Sequence, residues 1–150
     1  GENERVEFKQ SYNYDYHLNM PDNELPKKVI SEIAAFINSA YGGTLFLGVK
    51  DDGTILGLQK NFEQIGEKKG RDAFELALTS KLRAAFGGLS VDLIEIFFHE
   101  IESKIICEIK IKPHKEPVFF NDDFYVRNGT QCNNLKSKEF YELMSRRKKI

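Results

Sequence analysis

The chain has 150 residues, of which 41% are hydrophobic and 30% are charged, and its formal net charge is −1. Such a length and composition predict one globular domain with its own core, and the near-neutral charge argues against a histone-like, globally basic protein. No apolar run approaches the roughly 18 residues of a membrane span, and the two cysteines are too few for a disulfide framework or a Cys-based zinc site, so we expect a cytoplasmic protein that makes no membrane contact.

The first third of the chain alternates strand and helix patterns. Residues 6–10 form a short strand pattern, and the apolar positions of 25–40 recur on one helical stripe that ends at a glycine pair. The segment TLFLGV, residues 44–49, is apolar on both faces, which predicts a central buried strand packed against that helix. Residues 51–53 (DDG) are a strong turn signal that leads into a short strand at 54–56.

The rest of the chain continues the alternation. A second helix is predicted over 74–85, and residues 91–101 and 104–112 form a hairpin about Glu102-Ser103. Residues 118–127 contain a second hairpin, and a last helix follows Ser137. The sequence therefore predicts an α/β or α+β fold, a single domain with a mixed sheet and flanking helices.

The first strand carries charge on alternate positions. Read as a strand, Val6 and Phe8 point into the core, whereas Glu7 and Lys9 lie about 6.6 Å apart on the other face, toward a groove. That spacing would let a carboxylate hold a divalent metal while the ammonium neutralises charge on a phosphate. The same E-x-K pattern recurs at residues 108–110, where it indicates ordinary charge pairing on a sheet surface.

A second source of carboxylates follows the central strand. Asp51 and Asp52 leave it at an end where ligands gather in open α/β sheets. Their alternative role is the turn itself, which Asp52-Gly53 would form in any protein.

Positive charge is concentrated at the C-terminal end. Residues 136–150 contain six basic and two acidic residues, a local charge of +4. A basic run of this kind is typical of a solvated helix end or linker, here 141–150, and otherwise of a surface that faces nucleic acid.

Three separated blocks resemble one family. GENERVEFKQS, AFINSAYGGTLFLGVKDDGTILGL and EPVFFNDDFYVRNGT, in that order, are similar to the Schlafen AlbA_2 domain, also called the AlbA-like or divergent AAA-4 DNA-binding domain. The resemblance runs from about Glu2 to Phe140 and implies a mixed-sheet α/β fold that acts on nucleic acid. It also implies an N-terminal module of a larger, transcriptional-regulator-like bacterial protein, with further domains on its C-terminal side.

The resemblance also implies candidate site residues. Animal Schlafens are metal-dependent RNA endonucleases with three carboxylates, onto which Glu2, Glu7 and Asp51 fall by position. Asp52 is the alternative if the register shifts by one, and the ion would be Mg²⁺ or Mn²⁺. Lys50 stands where many members carry an acid, a departure that lowers the local negative charge. Those enzymes cradle RNA between two related lobes, so a homodimer of this chain would supply the second lobe.

Three functions remain open from the sequence. The chain is a nucleic-acid-binding module, or a nuclease that uses Glu2, Glu7 and Asp51 with Lys9 stabilising the transition state, or a protein-interaction and dimerisation domain. A binding module would contact phosphates through its basic residues. The expected contacts are Lys9, Lys50, Lys68, Lys69, Arg71, Arg127, Arg146, Arg147, Lys148 and Lys149.

Overall fold

The computed structural model describes residues 2–65 and 70–148. The predicted mixed α/β class is confirmed: a four-stranded sheet has the order β1-β4-β6-β5, in which β1 is parallel to β4 and the other pairs are antiparallel. The elements in chain order are β1 Val6–Lys9, β2 Tyr14–Asp15, β3 Met20–Pro21, α1 Leu25–Ile37, β4 Gly43–Leu47, α2 Gln59–Glu63, α3 Arg71–Phe86, α4 Leu89–Leu93, β5 Ile94–Ile101, β6 Lys104–Ile111, β7 Phe124–Asn128, β8 Gln131–Leu135 and α5 Ser137–Lys148.

One face of the sheet carries the main core. Leu45 and Leu47 of β4 are 0% exposed on this face, where α1 and α3 also pack. Phe74 of α3 lies edge-on to Phe98 of β5, with ring centroids 6.2 Å apart. The predicted inner position of the central strand and its packing against the first helix are confirmed.

The opposite face of the sheet is only partly covered. Phe8 of β1 and Phe46 of β4 lie there as an edge-on pair 5.8 Å apart, and both remain partly exposed. The expectation that both faces of the central strand are covered is therefore too strong. The molecule has two layers at this point, with helices on one side of the sheet.

The turn into β4 depends on a glycine. Gly42 has φ of +72°, and a Cβ atom there would collide with the carbonyl group of Ile111 in β6. Glycine reaches this backbone conformation without strain and leaves room for the neighbouring strand. The turn starts β4 in register between β1 and β6.

Three predicted strand segments differ from the observed ones. The short strand predicted at 54–56 is reduced to a single bridge between Val49 and Ile55. Residues 89–93 form α4, so the strand predicted from 91 begins at Ile94. The hairpin predicted between 118–120 and 124–127 is wrong, because only Phe120 and Asp123 form a bridge there. Instead β7 pairs with β8, and this hairpin packs on α1. No helix in the described ranges has the length and apolar character to cross a membrane.

Candidate nucleic-acid interface

The candidate site lies where the parallel strands β1 and β4 end. Their carboxyl ends lie at one edge of the sheet, and the amide groups of Gly48 and Val49 both donate to the carbonyl oxygen of Lys9, at 2.8 and 3.3 Å. The chain then turns at residues 50–53, where the amide of Gly53 donates to the carbonyl of Lys50 at 2.8 Å. An open depression of about 450 Å³ results, and it is lined by Phe8, Lys9, Gln10, Lys50, Asp51 and Asp52.

A tight turn brings the carboxyl group of Glu2 to this end of the sheet. The backbone groups of Asn3 and Val6 bond each other at 3.0 and 3.3 Å, so the chain before β1 folds back along it. Glu2 therefore lies within hydrogen-bonding reach of both Glu7 and Asp51. The three carboxyl groups to which the family resemblance points are neighbours in the folded chain.

The crowding of these carboxyl groups favours the protonated form of Glu2. Burial, followed by hydrogen bonds to Glu7 and Asp51, raises the pKa of Glu2 to about 8. Close carboxylates repel one another, and a proton held between them relieves that repulsion. At neutral pH, Glu2 is accordingly the protonated member of the group.

Asp52 differs from its neighbour in what it contacts. Its Oδ1 accepts a hydrogen bond from the amide of Thr54 at 2.9 Å, and the hydrogen bonds from Thr54 hold the pKa of Asp52 below its ordinary range. This is the side-chain contact of a turn residue. The geometry favours Asp51, which lies beside Glu2, over Asp52 as the third carboxylate.

A buried ion-pair cluster supports the site from below. Glu7 and Glu32 are 4% and 8% exposed, and Arg127 Nη1 lies 2.8 Å from Glu7 Oε1 and 3.1 Å from Glu32 Oε2. Lys9 Nζ lies between the same two carboxylates, at 3.7 and 3.6 Å. Burial, and then the nearby Glu7, raise the pKa of Glu32. The cluster contains two negative and two positive groups, so it is neutral as a unit.

Arg127 also fixes the N-terminal turn. Its guanidinium donates to the backbone carbonyls of Asn3, Glu4 and Val6 at 2.7, 3.2 and 3.1 Å. The group lies 4.5 Å from the ring centroid of Phe36, and the side chain is only 1% exposed. The phosphate contact expected of Arg127 is therefore corrected, since its donors already bind protein groups inside the fold.

The orientation predicted for the first strand is also wrong. Glu7 and Lys9 lie beside Leu45 and Leu47 on the face that carries the core, whereas Phe8 lies on the more open face. The ion-pair partners on α1 and β7 make this burial of charge possible, because a buried carboxylate needs a counter-charge and hydrogen bonds. Lys9 alone reaches solvent, with its side chain 33% exposed.

The other basic residues expected to meet phosphate lie in different places. Lys50 is exposed at the depression, and Arg71 is exposed beside Asp72 at 3.6 Å. Arg146 and Arg147 are exposed and line a separate cavity of about 430 Å³ together with Arg5. Lys68, Lys69, Lys149 and the side chain of Lys148 lie outside the described part of the chain.

The three carboxyl groups supply the kind of ligand atom that a hard metal ion prefers, but in the described part of the chain their positions do not form a metal site. Mg²⁺ and Mn²⁺ prefer oxygen ligands, which Glu2, Glu7 and Asp51 supply. Glu7, however, is bound by Arg127, and within residues 2–65 and 70–148 no three His, Cys, Asp or Glu side chains are arranged to hold a metal ion. Binding of a cation here would require Glu2 to lose its proton.

Because Glu2 holds a proton in the folded chain, the stability of the fold should depend on pH. The folded chain binds the Glu2 proton more tightly than the unfolded chain, so stability should fall as pH rises from about 4.5 to about 8. Glu2→Gln should reduce this fall and raise the melting temperature relative to the parent by a few degrees at the upper end. The effect is smaller than for a fully buried group because Glu2 is partly exposed.

Thermal unfolding measured across this pH window tests the prediction. Glu24→Gln is the control, because Glu24 is exposed and lies just before α1. Its melting temperature should change with pH as that of the parent does. If the melting temperatures of the parent and Glu2→Gln change with pH in parallel, Glu2 holds no proton in the folded chain at neutral pH.

Fold and site together describe a mixed α/β domain. Three neighbouring carboxyl groups and two solvent-accessible lysines, Lys9 and Lys50, lie where the strands β1 and β4 end. The family model described as Schlafen, AlbA_2 matches residues 2–136. The chain belongs to the Schlafen AlbA_2 family, and membership supports nucleic-acid binding as its general class of function.

A solved structure supports the fold. The chain is similar to the DIP2311 protein from Corynebacterium diphtheriae, with a TM-score of 0.64 and 19% identity. The match covers 93% of this chain and 23% of that chain, so this chain spans about a quarter of its neighbour. No curated protein matches the sequence significantly.

Proposed function

We propose that the chain is a nucleic-acid-binding module that holds a phosphate backbone at the depression between the ends of β1 and β4. The observation that carries this proposal is the position of Lys9, the last residue of β1, and of Lys50, in the turn after the neighbouring parallel strand β4, because both line the depression. Ligands of open α/β sheets bind at the carboxyl ends of such strands. Two cations beside an open depression suit the sequence-independent contacts that dominate nucleic-acid affinity.

The two lysines would contribute differently. Lys50 is exposed and its ammonium can move to meet a phosphate, whereas Lys9 is held between Glu7 and Glu32. Lys9 therefore has a fixed position, and its exposed third faces the depression. A phosphate bound there would lie near the fixed ammonium group of Lys9 and the mobile ammonium group of Lys50.

The module would serve a larger regulator-like protein with further domains on its C-terminal side. The family resemblance supports this context, as does the small share, 23%, of the solved neighbour that the chain spans. The partner domains would supply the sequence specificity that phosphate contacts lack.

The salt dependence of binding tests this function. Association with labelled single-stranded DNA and with tRNA, measured by fluorescence anisotropy in EDTA from about 50 to about 200 mM salt, should weaken steeply. Lys50→Gln should flatten the slope of log K against log salt by about 0.7–0.9, since one phosphate contact is lost.

Lys112→Gln is the matched control. Lys112 is also exposed, but it follows Ile111, which pairs with Gly43 at the opposite end of β4. Its slope should equal that of the parent. An unchanged slope for Lys50→Gln, or an equal loss for Lys112→Gln, would show that the phosphate backbone binds elsewhere.

A second function, metal-dependent nucleic-acid cleavage, is favoured by one observation. Asp51 lines the depression, and Glu2 lies within hydrogen-bonding reach of both Asp51 and Glu7. A bound Mg²⁺ or Mn²⁺ would polarise a phosphate and lower the pKa of a bound water. Lys9 would then stabilise the negative charge that develops on the phosphate.

A further inference from the structure

The outer edge of β5 is an open sheet edge. β5 is the last strand of the order β1-β4-β6-β5 and, with eight residues, pairs along its whole length with β6 on its inner side. In the described ranges no strand pairs with its outer side. β5 contains no proline, and a long open edge of this kind is a template for pairing with another chain.

The side chains of this edge are unusually apolar for an exposed strand. Phe97 and Ile101 are each 38% exposed, and Lys110 Nζ lies 5.2 Å from the ring centroid of Phe97. Glu95 is exposed, and the side chain of His99 is 46% exposed and 2.8 Å from Glu108. A carboxylate and an imidazole thus lie two residues on either side of an exposed phenylalanine.

We infer that β5 pairs antiparallel with the β5 strand of a second copy of this chain, in a register centred on Phe97. In that register Glu95 of each copy lies opposite His99 of the other, and the two Phe97 rings meet at the twofold axis. The contact is isologous, as a closed dimer requires. This inference depends on strand geometry and charge, and it stands apart from the proposed function.

Two considerations select the register. Directly opposed residues of an antiparallel pair lie on the same face, so residues of equal parity must be opposed if the helices of both copies are to stay on one side of the sheet. Shifting the centre to Phe98 would place Glu100 opposite Ile96 and would leave Glu95 opposite Ile101. The register centred on Phe97 places the carboxylate of Glu95 opposite the imidazole of His99 on both sides of the axis.

Sedimentation velocity tests the dimer. The parent chain should show a concentration-dependent monomer–dimer equilibrium at micromolar concentration. Phe97→Asp places two carboxylates on the axis and should weaken the dimer about tenfold or more. Leu76→Asp, on a residue of α3 that is 67% exposed, is the control and should leave the equilibrium unchanged. A parent chain that stays monomeric at about 100 μM would overturn the inference.

Cysteine cross-linking tests the register without depending on the folding of Phe97→Asp. Phe97→Cys should form an interchain disulfide under mild oxidation, because facing Cβ atoms in a strand pair approach the distance that a disulfide spans. Glu95→Cys and His99→Cys should each fail to cross-link alone and should cross-link when mixed. The parent, which carries only the native thiols of the buried Cys107 and the partly buried Cys132, is the control. Cross-linking of Glu95→Cys or His99→Cys alone would overturn the proposed register.

Discussion

Arg127→Ala should destabilise the fold by about 3–5 kcal/mol, the usual effect of removing one partner from a buried ion pair. The substitution would leave the carboxylates of Glu7 and Glu32 buried with only Lys9 as a counter-charge. It would also leave three backbone carbonyls of the N-terminal turn without their donor. Arg127→Lys should lose much of the same stability, since one ammonium has no planar fork to reach all five oxygens.

Urea unfolding of the parent and the variants measures this difference. Arg83→Ala, on an exposed position of α3, is the matched control and should change the free energy of unfolding by no more than about 0.5 kcal/mol. A loss below about 1 kcal/mol for Arg127→Ala would show that water takes over the role of the guanidinium.

Local signals predicted the elements that depend on local chemistry. The hairpin about Glu102-Ser103 has positive φ at both residues, as a two-residue turn requires, and β5 and β6 pair on either side of it. The short helices α2 and α4 were missed, because five residues are too few to show a helical period. The partner of β7 was missed because β8 (QCNNL) has little of the β-branched and aromatic composition that marks a strand.

The family resemblance supplied candidate site residues but not their surroundings. It points to Glu2, Glu7 and Asp51, and in the fold Glu2 lies within hydrogen-bonding reach of the other two. Glu32 was missed because it is the single charged residue among the otherwise apolar buried positions of α1, and one charge gives no periodic signal.

Burial of the first strand could not be read from its alternation. Alternation gives two faces but does not say which one meets the core, and here Arg127, which binds Glu7, lies 120 residues further along the chain. The burial of charge on this short strand therefore depends on tertiary contacts that no local pattern contains.

Asp51→Asn should lower cleavage of labelled tRNA in Mn²⁺ at least about 100-fold if the domain is a nuclease, because loss of a ligating carboxylate removes several kcal/mol of transition-state stabilisation. Asp51 is exposed, so its replacement should leave the fold intact and separate chemistry from stability. Glu7→Gln is a poorer test, since Glu7 is 4% exposed and bound to Arg127, and its loss would destabilise the chain as well.

Asp52→Asn is the matched control for this experiment. Asp52 is the adjacent carboxylate, and an asparagine there can still accept the hydrogen bond from the amide of Thr54. Cleavage by this variant should stay within about twofold of the parent, since the metal would lose no ligand. A larger loss for Asp52→Asn than for Asp51→Asn would move the third carboxylate by one residue. A parent chain that cleaves neither tRNA nor single-stranded DNA in Mn²⁺ or Mg²⁺ would contradict the nuclease function.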